Sequence, residues 1–124
     1  MSNKESILQK YIICLFLIIP VLLWFPDAAQ AHGPNDVALA YNADSQTLNV
    51  TISHAVSDPR RHYVSTVTIT KNGEAVAAHE YTSQPESASF TYTYPLEVKT
   101  GDVVEVKAGC SYYGSKTEKL AIGK

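Results

Sequence analysis

Gln46–His54 reads QTLNVTISH. Leu48, Val50, Ile52 and His54 fall on one side of it, and Thr47, Asn49, Thr51 and Ser53 on the other. A period of two sustained this long marks a half-buried strand, because successive side chains of an extended chain leave on opposite faces. A face with three aliphatic residues must be covered by something, and it takes His54 inward with it.

The same pattern continues in both directions. Val37–Tyr41 comes before it, across the turn-forming Asn42-Ala43-Asp44-Ser45. Beyond Ser57-Asp58-Pro59, the segment His62–Thr70 is rich in β-branched residues. Asn72-Gly73 has the composition of a two-residue hairpin turn, which needs positive φ twice, and Glu74–Tyr81 is its return strand. Ser83-Gln84-Pro85 breaks the chain. Ser87–Tyr94 then sets Ala88, Phe90, Tyr92 and Tyr94 on one face. Pro95 and Gly101-Asp102 bracket the connection to Val103–Cys110, where Val104, Val106, Ala108 and Cys110 align. Thr117–Ile122 closes the chain. Short strands at this spacing with no helical period predict an all-β, immunoglobulin-like antiparallel sandwich of about seven strands. Its expected core contains Leu48, Val50, Ile52, Val104 and Val106.

The first 31 residues read differently. Lys4 and Lys10 precede an uncharged apolar run, Tyr11–Phe25, and small residues follow in Ala28-Ala29-Gln30-Ala31. This is the build of a secretory signal peptide, residues 1–31. The run is interrupted by Pro20 and falls short of the ~20 residues that span a bilayer. The expected product is an exported domain, 32–124, periplasmic or extracellular, whose only membrane contact is through the signal segment. Cleavage after Ala31 makes His32 the N-terminus and removes Cys14, so Cys110 is left with no partner for an intramolecular disulfide. The chain carries 10 Lys+Arg against 12 Asp+Glu, net −2. With no clustered positive surface, nucleic acid is excluded as a partner.

The alternation aims the candidate ligands. His54 and Cys110 end strands on inward faces, where a sandwich opens into loops, and His62 begins the next strand. Soft or borderline donors meeting at one rim suit iron, copper or zinc, and suit calcium or magnesium poorly. The same residues also read as a small buried thiol beside polar rim histidines. His79, mid-strand beside Glu80, reads as a surface position. Tyr92 and Tyr94 read as sheet packing with hydroxyls reaching the edge. An N-terminal His32 can chelate copper through its α-amine and ring nitrogen, joined by His54 or His62.

His54-Ala-Val-Ser-Asp-Pro-Arg-Arg-His62-Tyr63-Val64, followed by Cys110-Ser111-Tyr112-Tyr113-Gly114, resembles the ferrous-iron domain of desulfoferrodoxin and neelaredoxin, the superoxide reductases. His32-Gly33-Pro34 sits where that family carries its first ligand histidine. The resemblance implies an immunoglobulin-like fold and iron held by His32, His54, His62 and Cys110. It implies one-electron reduction of superoxide to hydrogen peroxide, supplied by an unidentified electron donor. Three departures stand out. Tyr113 occupies the place of the fourth histidine, Gln30-Ala31 replaces the family's Glu-Lys pair, and the loop between His54 and His62 is longer.

Overall fold

A computed structural model describes residues 33–123. The expected signal segment and His32 lie outside the described residues. Seven strands follow in order: β1 (Asp36–Asn42), β2 (Thr47–Ser53), β3 (Val64–Lys71), β4 (Glu74–Glu80), β5 (Ser89–Pro95), β6 (Val103–Cys110) and β7 (Ser115–Ala121). They form two antiparallel sheets, ordered β1-β2-β5 and β4-β3-β6-β7. The described residues contain no helix. This is the all-β sandwich that the alternation predicts. Its fourth strand pairs with β3, whereas in a constant-type immunoglobulin domain that strand joins the first sheet.

The core is what the inward faces bring together. Val37, Leu48, Val50, Ile52, Phe90 and Tyr94 come from one sheet, and Val64, Val67, Ile69, Val104, Val106 and Ala108 from the other. All five expected core residues are fully buried. The β3–β4 hairpin turns at Asn72 (φ 50°) and Gly73 (φ 86°), both left-handed as the Asn-Gly pair requires.

Aromatic rings close the edge where β4 faces β5. Tyr81 stacks on Tyr92 at 4.4 Å, His79 stacks on Tyr94 at 4.4 Å, and the Tyr81 and Tyr94 hydroxyls meet at 2.7 Å. His79 is therefore half-buried against a ring, and the surface position expected for it is corrected. Burial first, and neighbouring Tyr81 second, push the Tyr92 phenol up to about 12. The same causes, with the Tyr81 hydrogen bond, push Tyr94 further.

Candidate metal centre

The end of β2, the start of β3 and the end of β6 share one rim. His54 lies one residue past β2 and continues its inward alternation, so the ring enters the core margin and is 1% exposed. A polar ring buried this deeply needs partners. Its Nδ1 lies 2.9 Å from Gln84 Oε1. Gln84, also buried, uses its whole amide. Oε1 accepts a second bond from the Val64 N–H at 3.1 Å, while Nε2 donates to the carbonyls of His54 (2.9 Å) and Glu86 (2.8 Å). Two carbonyl partners identify that end of the amide as the NH2, so the other end is an acceptor. Neutral His54 must then carry its proton on Nδ1. Its Nε2 is buried with no hydrogen-bond partner among the described residues. Such an orphaned acceptor costs ~1–3 kcal/mol, a cost that a metal ion bound to the lone pair would offset.

His62 is held in a loop, two residues before β3, and the strand start expected at His62 moves to Val64. The reason is the turn at Asp58. Its carbonyl accepts from the N–H groups of Arg61 (3.1 Å) and His62 (2.9 Å), and its carboxylate accepts from the Arg60 N–H (3.0 Å). The next residue is clipped to the loop after β6: Tyr63 N–H donates to Ser111 Oγ, and Ser111 N–H to the Tyr63 carbonyl. This brings His62 Nε2 to 3.0 Å from Cys110 Sγ. The His62 ring lies edge-on to His54, with centroids 4.7 Å apart, and Tyr112 stacks on its face at 4.6 Å. Burial first, then the adjacent His54, lower the His62 pKa and favour the neutral form that can ligate a metal.

Cys110 ends β6 and begins a tight loop. Its N–H donates to the Gly114 carbonyl at 3.0 Å, and the Tyr112 N–H points at Sγ from 3.4 Å. Gly33 packs on this loop so closely that a Cβ there would stand 2.6 Å from the Ser115 nitrogen and 2.8 Å from the Gly114 carbonyl carbon.

One donor atom from each of His54, His62 and Cys110 lies within 4.8 Å of the other two, a cluster that can hold a metal ion. Three of the four donors singled out in the sequence thus meet at one rim, and the fourth, His32, lies outside the described residues. His79, stacked on Tyr94, is not part of the cluster, and the Tyr113 ring is 74% exposed. Gln84 is the residue that sequence reasoning missed. A glutamine in a chain break has no periodicity, and only the meeting of the end of β2 with the start of β3 at the rim gives it a task. No protein-family model matches the chain, and no curated protein matches it.

Proposed function

We propose that this is an exported metalloprotein whose rim centre, His54, His62 and Cys110, holds a redox-active transition metal, with iron as the resident ion. The observation that carries this reading is the buried Nε2 of His54, without a partner among the described residues, on a ring beside the His62–Cys110 pair. Two imidazoles and a thiolate are a borderline-to-soft set, wrong for calcium or magnesium and right for iron, copper or zinc. Three protein donors leave coordination positions open, as in reactive rather than structural sites. Iron is preferred for the resemblance of His54…His62-Tyr63-Val64 and Cys110…Gly114 to the superoxide reductases, which makes one-electron reduction of superoxide the activity to test.

Iron bound at this rim would supply one-electron chemistry. The chain's own contribution is to favour neutral His62 by burial, to aim the Tyr112 N–H at the Cys110 sulfur, and to shield one side of His62 with the Tyr112 ring. Gly33 packs against the Cys110 loop and is bonded to His32, which supports His32 as a further donor once the signal is removed.

A second reading is favoured by the donor set itself. Two histidines and one cysteine are also the ligands of electron-transfer copper sites, and a mature α-amine at His32 would strengthen copper binding. Anaerobic loading with Fe(II), and separately with Cu(II), tests both. Iron is supported if the Fe(II)-loaded protein oxidises to a coloured thiolate–Fe(III) form and is oxidised rapidly by superoxide. An intense thiolate–Cu(II) colour with no retention of iron supports copper. Loss of neither metal on Cys110→Ser rejects the centre.

A further inference from the structure

We propose that Gln84 is the positioning residue of this centre: its side-chain amide holds His54 as the Nδ1–H tautomer and so presents the Nε2 lone pair to the metal position. The inference rests on the metal reading above for the role of Nε2, and on hydrogen-bond geometry alone for the tautomer.

Gln84 meets four groups of opposite kinds. Two are donors, the His54 Nδ1–H and the Val64 N–H, and both end on Oε1. Two are acceptors, the carbonyls of His54 and Glu86, and both receive from Nε2. Only a primary amide offers a two-fold acceptor and a two-fold donor on one short planar group. A carboxylate would set an oxygen against two carbonyls, and a hydroxyl could not span them. The amide cannot flip without breaking all four bonds, so the tautomer of His54 is fixed.

Gln84 also reaches the other imidazole. Its backbone N–H donates to the Pro59 carbonyl at 3.1 Å, tethering the turn that leads to His62, and its Oε1 holds the Val64 N–H two residues beyond His62. One glutamine therefore sets the ring orientation of one ligand and anchors both sides of the other. Groups in this outer shell typically change metal affinity ~10–100-fold when removed. Its neutrality has a further consequence. A carboxylate on a ligand histidine makes the imidazole more basic, whereas an amide leaves Cys110 as the anionic donor of the set and so favours the lower oxidation state of the metal.

The test has a metal-free and a metal-loaded arm. Nitrogen-15 NMR of the histidine rings in the metal-free protein, at mildly alkaline pH, should show His54 protonated at Nδ1 and bare at Nε2. Gln84→Leu should mix the two tautomers and weaken Co(II) binding ~10–100-fold, read from the thiolate-to-cobalt charge-transfer band. Gln84→Met, which keeps the unbranched shape but offers no amide, is the second variant in case the leucine variant does not fold. The same mixing of tautomers and the same loss of Co(II) affinity are expected of it, and the same unchanged result overturns the proposal. A wild type with His54 protonated at Nε2 overturns the proposal outright. An unchanged tautomer and unchanged Co(II) affinity in Gln84→Leu overturn it as well. A wild type with the Nδ1–H tautomer that takes up no Co(II) upholds the tautomer assignment and sinks the metal reading.

Discussion

Cys110 is where a single atom decides the chemistry. Its sulfur is approached by His62 Nε2 at 3.0 Å and by the Tyr112 N–H at 3.4 Å, so removing it takes away the one soft donor and leaves two imidazoles. Cys110→Ser should abolish the thiolate charge-transfer band of the loaded protein, because a serine oxygen has no equivalent donor orbital. The fold should survive, since the side chain is only partly buried. Paired visible absorbance and far-ultraviolet circular dichroism check both halves; a retained band would show that the sulfur is not a ligand. Tyr113 is the opposite case. It stands where the resembling family carries a histidine, yet its ring is 74% exposed. Tyr113→Phe should leave metal affinity unchanged in the same titration, and a loss there would place its hydroxyl on the metal.

Strands and turns carried most of what could be read before the structure. The inward face of β2 was legible because period two over Leu48, Val50, Ile52 and His54 reports burial directly, and the sequence bounds of β6, Val103–Cys110, coincide with the observed strand. Asn72-Gly73 was legible because its φ requirement is local. The pairing of β4 with β3 in the second sheet fits that hairpin but departs from the constant-type immunoglobulin order, since sheet membership depends on long-range packing. The same holds at the site. His54 and Cys110 were aimed by their strands, whereas His62 is aimed by the Asp58 turn, and Gln84 has no local pattern at all. Two glycines test the elements that position the rim. Gly73→Ala forces a Cβ into left-handed backbone at φ 86° and should cost about 1–2 kcal/mol, read by urea unfolding, without changing metal affinity. Gly33→Ala drives a methyl into the backbone of Gly114 and Ser115 and should displace the Cys110 loop, weakening metal binding. Equal effects of the two on metal affinity would contradict this division of roles.

For the domain as a whole, two conditions should move stability in opposite directions. Alkaline pH destabilises. In the folded state Tyr92 keeps its proton to about 12 and Tyr94 beyond, while the unfolded chain releases both near the ordinary value of 10.0. Their contribution is complete below pH 10 and is lost as pH rises toward the folded values, because the unfolded state then binds fewer protons. The slope is at most about 1.4 kcal/mol per pH unit for each phenol. Urea midpoints measured at stepped pH should fall over this range, and the double variant Tyr92→Phe, Tyr94→Phe should flatten the fall; an equally steep decline in that variant would assign it elsewhere. Metal stabilises. An ion bound only by the folded rim adds about 2.7 kcal/mol at a hundred times its Kd, a rise of roughly 10–20 °C in Tm for a domain of this size.

Elemental analysis of the protein purified anaerobically from its own compartment, beside Cys110→Ser prepared in the same way, tests the central claim most directly. The account predicts one equivalent of iron in the wild type and its loss in the variant. Stoichiometric copper would move the assignment to the second reading. Wild type and variant alike carrying only traces of any transition metal would contradict the centre itself.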